Sequence, residues 1–134
     1  AYITAFEGAN VVIGDDCMFA AGVSIRSDDA HPIFSVRTGD RINKAKSIKI
    51  GSHVWIGEGS VLLSGTEIGD GSVIGTRSVV KGKIPNNCIA AGVSAKIIKR
   101  NIAWERPHFS REKDFDKEGK LLKKTDDFWN YTIE

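Results

Sequence analysis

An aliphatic side chain returns at every sixth position through the middle of this chain, at Ile50, Ile56, Leu62, Ile68, Ile74 and Val80. Glycine follows four of them directly, at Gly51, Gly57, Gly69 and Gly75. A small or β-branched residue stands two places before a marker, at Val54, Ser60, Thr66, Ser72 and Ser78. An α-helix repeats about every 3.6 residues and a flat strand alternates in twos, so neither keeps a period of six on one buried face. A coil of three short strands and three corners does. The pattern predicts an all-β chain, a parallel β-helix whose core is a column of Ile, Leu and Val, with glycine where a side chain would obstruct a tight corner.

The same beat runs earlier through Ile13, Phe19 and Ile25, with Gly14 after the first marker. The two blocks are out of phase, so an insertion must interrupt the coil. The polar, irregular stretch at about 30–47 is the candidate, a loop thrown out of the solenoid that carries His31, Pro32, Phe34, Arg37, Asp40, Arg41 and Asn43. Loops of that length in a regular scaffold are commonly functional. Phe34, Val36 and Ile42 are expected to anchor it, since a flexible linker would lack apolar residues.

The regular pattern decays after Pro85 into Cys88-Ile89-Ala90-Ala91-Gly92-Val93 and Ile97-Ile98, which reads as a closing turn and capping strand. Residues 1–100 are therefore expected to form the coil domain with its inserted loop. Residues 101–134 form an extension with Trp104, Phe109, Phe115, Phe128, Trp129 and Tyr131, too aromatic for a disordered end, and expected to pack on the coil or on a neighbouring subunit. A turn is predicted at Gly119-Lys120 and a short helix near Asp126 to Tyr131.

Composition narrows the picture. A chain of 134 residues can bury one core, but a solenoid needs its flanks covered, and oligomerisation would do that. The net charge of +2 is too small to point to nucleic acid. No run approaches the roughly 18 apolar residues of a membrane span and no signal peptide is visible, so a cytoplasmic location is the expectation. Cys17 takes the small-residue position before Phe19, and Cys88 lies where the last coil gives way. Both read as small buried hydrophobes rather than as a disulfide or a metal pair.

The run Ile48-Lys49-Ile50-Gly51-Ser52-His53-Val54-Trp55-Ile56-Gly57, then Ile68-Gly69-Asp70-Gly71-Ser72-Val73-Ile74-Gly75, and the closing Ala90-Ala91-Gly92-Val93-Ser94-Ala95-Lys96 resemble the hexapeptide-repeat acyltransferases. Within that family the chain is most similar to the galactoside and maltose O-acetyltransferases and to the O-acetyltransferases of bacterial surface polysaccharides. The match spans about residues 11 to 106 and rests most firmly on His31-Pro32, on Val-Trp-Ile-Gly and on Ala-Ala-Gly-Val. The resemblance implies a left-handed parallel β-helix, a homotrimer, and acetyl-CoA bound between adjacent subunits as acyl donor to a sugar, with no metal. Transfer to an amino sugar or a nucleotide-linked amino sugar is the alternative chemistry.

Acyl transfer to an alcohol needs a base to take the hydroxyl proton during attack, and a neutral imidazole suits that task near neutral pH. The position that matches the family's single histidine is His31, with Asp29 to orient the ring or contact the acceptor; His53 is a second choice, expected to share a strand face with Trp55. A backbone N–H at Gly57 or Glu58 would stabilise the oxyanion. The family pattern assigns Trp55, Gly57, Glu58, Thr76, Lys81, Lys96 and Lys99 to the coenzyme, the last two standing where arginine is frequent. Ser94 departs from the proline common after Ala-Ala-Gly-Val. Asp28, Phe34, Arg37 and Arg41 are expected to shape the acceptor pocket. A zinc enzyme on this prism would need three clustered histidines, which the spacing of His31, His53 and His108 does not offer. A non-catalytic binding or scaffold module is the rival of another class, since a fold alone assigns no function.

Overall fold

The computed structural model describes residues 1–110 and 112–134. Three sheets make the faces of a triangular prism, and the chain visits them in strict rotation. Numbered along the chain, the first sheet stacks β1 (Tyr2–Thr4), β4 (Ser24–Arg26), β7 (Val61–Leu62) and β10 (Val79–Val80). The second stacks β2 (Val11–Ile13), β5 (Ile48–Ile50), β8 (Glu67–Ile68) and β11 (Lys83–Ile84). The third stacks β3 (Met18–Phe19), β6 (Trp55–Ile56), β9 (Val73–Ile74) and β12 (Cys88–Gly92). Every one of these pairings is parallel. β13 (Ala95–Arg100) then turns back antiparallel on β12 and closes the third sheet.

Register explains the period. Leu62 pairs with Val80 and Ile56 with Ile74, so a coil takes 18 residues, three repeats of six. The markers point inward: Ile25, Ile50, Ile56, Leu62, Ile68, Ile74 and Val80 are all 3% exposed or less. Burial of each aliphatic side chain contributes about 1.5–3 kcal/mol, and the stack repeats that gain rung by rung. At Gly57 an added Cβ would lie 2.6 Å from the Thr76 nitrogen of the next coil, so glycine is required there by the close approach of corners. The small polar residues before the markers have a second task. The Ser60 hydroxyl donates to the Gly75 carbonyl at 2.9 Å and Ser72 to Pro85 at 2.6 Å, which satisfies corner carbonyls outside the ladder, and Thr66 donates at 3.0 Å to the Val80 carbonyl, which also accepts the Leu63 N–H. Cys17 and Cys88 occupy equivalent places. Their thiols face the carbonyls of Gly51 and Pro85 at 3.2 Å, both are free, and burial pushes both thiol pKa values up.

Three irregularities interrupt the rotation, the first being that Tyr2 pairs with Ser24, so that the opening coil is four residues longer than the regular 18. Ile13, Phe19 and Ile25 pair with Ile50, Ile56 and Leu62 across 37 residues where a regular coil needs 18, so 19 residues are looped out between β4 and β5. The last coil is tightened instead, because Ile84 and Ala90 pair with Ile68 and Ile74 at a spacing of 16.

The loop's anchors differ from the apolar ones expected. Phe34, Val36 and Ile42 are 56%, 104% and 65% exposed, so none of them packs on the chain's own coil. Polar contacts hold the loop. Arg41 grips Glu7 of the first coil with both guanidinium nitrogens, one bond measuring 2.9 Å, and this contact lowers the Glu7 pKa and raises that of Arg41. The Lys46 N–H donates to the Ser27 carbonyl at 3.2 Å across the neck, and a bridge between Phe34 and Arg41 folds the tip on itself.

The extension runs back along the edge between the second and third sheets. The Asn87 side-chain amide donates to the carbonyls of Ile102 and Phe128, Asn101 and Thr132 exchange hydrogen bonds, and Arg100 meets Glu134. A 3-10 turn at Asp126–Phe128 lies where a short helix was expected, and the Gly119 turn closes with an N–H donated to the Asp116 carbonyl at 3.0 Å.

Candidate active site

His31 emerges from the edge between the first and second sheets, four residues after β4 breaks away at Ser27. Its imidazole is exposed. The backbone before it is constrained: Asp28 Oδ1 accepts from the Ala30 N–H at 2.9 Å, Ala30 adopts φ +65°, and the His31 N–H donates to the Asp29 carbonyl at 2.7 Å. A non-glycine residue in that left-handed region is uncommon and is held by its surroundings.

Asn43 supplies the hold. Its amide oxygen accepts from the Ile33 N–H at 2.7 Å and from Arg41 Nε at 3.2 Å, and its amide nitrogen donates to Asp29 Oδ2 at 3.0 Å and to the His31 carbonyl at 2.8 Å. All four hydrogen-bonding positions of one side chain are thus spent on the segment that presents His31. The sequence shows Asn43 in the loop but gives no hint of this role. The Asp29 carboxylate is committed to Asn43 here. Substituting Asn43 with alanine is expected to raise amide exchange at Ile33 by about tenfold while β7 keeps its protection; equal exchange in both proteins would show that the amide does not hold the loop.

Asp28 is the unusual group in this region. It is 4% exposed, and its Oδ2 has no hydrogen-bond partner. It lines a depression of about 430 Å³ shared with Phe6, Glu7, Ala30, Pro32 and Arg41. A buried carboxylate oxygen without a donor is costly, so the site is short of a hydrogen-bond donor at that point. Arg41 borders the depression but already serves Glu7 and Asn43. Phe34 and Arg37 project outward from the loop tip.

The remaining predicted residues fall elsewhere on the prism. Trp55 opens β6 on the third sheet and is 38% exposed. Glu58 and Thr76 are exposed at successive corners of the edge between the third and first sheets, where the Arg77 N–H donates to the Glu58 carbonyl at 2.8 Å. Lys96 and Lys99 are exposed on β13, and Lys81 follows β10 at the same edge as His31. Within one chain, then, the His31 loop and Lys81 share one edge, whereas Trp55, Glu58 and Thr76 lie on the third sheet and its next edge, with the first sheet between them. The Gly57 N–H is unavailable as an oxyanion donor, since it donates to the Ile74 carbonyl at 2.8 Å within the stack.

His53 corrects the expectation of a shared face with Trp55. It is not on a strand at all. The residue turns the corner after β5 with φ +54°, is 2% exposed, and its ring stacks between Trp104 at 4.0 Å and Phe128 at 4.6 Å. Its Nδ1 lies 2.6 Å from Asp16 Oδ2 and its Nε2 lies 2.9 Å from the Trp104 carbonyl oxygen. A ring with both nitrogens engaged and no solvent access cannot serve as a base for an incoming hydroxyl.

A prism of six-residue repeats, with a looped-out histidine segment at one edge, defines a class that comparison with known proteins identifies. Residues 47–82 match the bacterial transferase hexapeptide (six repeats) family. The chain is 52% identical over 100 residues to the polysialic acid O-acetyltransferase of Escherichia coli O1:K1 / APEC, covering 75% of this chain and 33% of that protein. It superposes on the crystal structure of the polysialic acid O-acetyltransferase OatWY with a TM-score of 0.76 and 42% identity, covering 81% of this chain and 52% of that one. A galactoside acetyltransferase in complex with coenzyme A gives a TM-score of 0.61 at 37% identity, covering 72% of this chain and 48% of that one. The chain is therefore a left-handed β-helix of the hexapeptide-repeat type, related to O-acetyltransferases of polysialic acid and of galactosides. It spans a third of the length of the first of these proteins and about half of the other two. Among the described residues, no helix is long and apolar enough to cross a membrane.

Proposed function

We propose that this chain transfers an acetyl group from acetyl-CoA to a hydroxyl of a sugar or polysaccharide precursor, with His31 as general base. The observation that carries the reading is the unpartnered Asp28 carboxylate oxygen at a depression lined by Ala30 and Pro32, the chain neighbours of the exposed His31. A sugar brings hydroxyl donors. One of them satisfies Asp28, and this fixes the ring so that a second hydroxyl meets His31. That hydroxyl attacks the thioester carbonyl as His31 Nε2 or Nδ1 takes its proton. The tetrahedral oxyanion is stabilised by the Glu58 N–H, because the neighbouring Gly57 donor is spent. Collapse expels the coenzyme thiolate, which regains the proton from the His31 imidazolium, and no covalent enzyme intermediate forms.

The separation of the two residue sets supports a site completed by a second copy. The His31 edge of one subunit supplies the base and the acceptor pocket. The third sheet of the next supplies Trp55, Gly57, Glu58 and Thr76 to the acyl and pantetheine arm, with Lys81, Lys96 and Lys99 available to phosphates. A homotrimer closes such contacts with three identical sites and covers the outward Phe34, Val36 and Ile42. The relatives' names add weight to a polysaccharide acceptor, and the galactoside enzyme's complex adds weight to coenzyme A.

The test is release of free thiol from acetyl-CoA over a panel of neutral, amino and acidic sugars. Acetyl ester formation is the expected result. Products acylated on nitrogen would move the reaction to amino sugars, and no thiol release with any acceptor would leave a binding module.

A further inference from the structure

We propose that His53 stands as an imidazolium that latches the extension onto the coil and, through Trp104, sets the position of Trp55, making His53 and Trp104 positioning residues for the acyl-donor side of the site. The inference rests on the reading of Trp55 given above. Its geometric basis is hydrogen-bond stoichiometry. Both ring nitrogens face acceptors, the Asp16 carboxylate at 2.6 Å and the Trp104 carbonyl at 2.9 Å. A neutral imidazole carries one N–H and can fill only one of these bonds, whereas an imidazolium fills both. Asp16 does not supply the missing proton, since its other oxygen accepts from Arg106 Nη2 at 2.8 Å. The His53 hydrogen bond first, and then Arg106, hold the Asp16 carboxyl below the usual aspartate range against the opposing pull of desolvation.

The stacking suits a charged ring. His53 lies nearly parallel to Trp104 at 12° and to Phe128 at 7°, so that both neighbours turn a π-face to the ring. A cationic ring is attracted to both faces. The charged groups around it are Asp16 from the corner between β2 and β3, and Glu105 and Arg106 from the extension. Lys113, Asp114, Lys123, Lys124 and Asp127 rim the adjoining depression with both signs of charge.

The latch reaches the site through two contacts. The Trp104 indole N–H donates to the His53 carbonyl at 2.8 Å, so ring and backbone of His53 together hold Trp104 at 7% exposure. Trp104 then backs the Trp55 indole at 5.9 Å and 52°. Removing the latch frees Trp55 to leave its rotamer, and the loss falls on binding of the acyl donor, not on proton transfer at His31.

The latch is sensitive to acid. Asp16 has a depressed folded pKa, so its contribution is present above its unfolded value and is lost as pH falls through the folded one.

Hydrogen–deuterium exchange of residues 102–132, measured against pH after correction for the intrinsic rate, tests the latch without reference to activity. Protection that falls as pH drops through the lowered Asp16 pKa is expected, as is a loss of about tenfold in His53→Gln, whose uncharged amide has a single nitrogen and cannot place a donor at both ring-nitrogen positions. Asp16→Asn, at an exposed carboxylate, gives the same loss in smaller measure and serves if the first variant does not fold. Flat protection across pH, together with unchanged exchange in Asp16→Asn, overturns the latch. Coenzyme A affinity and the KM for acetyl-CoA test the link to Trp55. Both are expected to weaken about fivefold or more in Trp104→Phe, with kcat less affected. Normal coenzyme affinity despite a loosened extension overturns that link. A wild-type protein that binds no coenzyme A would remove the functional reading instead, while the exchange data still decide the latch.

Discussion

Replacement of His31 by alanine is expected to lower acetyl transfer by about 10²–10⁴-fold, the usual worth of a general base. The fold should be untouched. The imidazole is exposed, and the bonds that shape its segment run through the backbone and through Asn43, so alanine removes the base without unpinning the loop. Unchanged far-UV circular dichroism and oligomeric state, with turnover lost at saturating acetyl-CoA, is the expected pair of results. A variant that keeps turnover within a factor of about three would remove His31 from the chemistry, whatever the loop does.

The second large effect lies in the column of markers. Leu62→Ala is expected to destabilise the protein by about 2–5 kcal/mol, because the alanine leaves a void that the rigid coil cannot close. Leu62 is fully buried and is paired in register with Ile25 above and Val80 below, so the void opens at the centre of the first sheet's inner face. Equilibrium urea unfolding measures it, as a lowered midpoint at constant slope. A loss under about 1 kcal/mol would mean that the column relaxes to fill the space and that the markers tolerate wide variation in volume.

These two expectations were unequally visible in the amino-acid sequence. The marker column could be read directly, since burial in a stacked coil recurs with the period of the chain itself, and every marker from Ile50 to Val80 lies in the core. The insertion was also legible as a phase error. Its anchoring was not. The bond between Arg41 and Glu7 joins residues 34 apart, and no periodic signal marks such a pair. The apolar residues of the loop suggested attachment to the coil because hydrophobicity reports that a surface will be covered without saying by what. His53 was misread for a related reason. Alternation along a strand fixes faces only where a strand continues, and here the corner turns at His53 before β6 begins, carrying the ring inward beneath Trp104. The hydroxyls of Ser60, Thr66 and Ser72 were recognised as small but not as partners for carbonyls of the next coil, a role that needs its register to be seen. The oxyanion donor was narrowed in the same way, by the bond from Gly57 to Ile74 one coil further on.

A spool of near-identical rungs carries no internal limit on its length, and a bare terminal rung invites another molecule to add on end to end. The reversal at β13 supplies the stop. By folding back antiparallel across β12 it occupies the outer rim of the third face, and it presents Lys96 and Lys99 to solvent there. Mutual repulsion between such cationic rims disfavours fibre growth from that end, so the short hairpin protects solubility as well as finishing the wall.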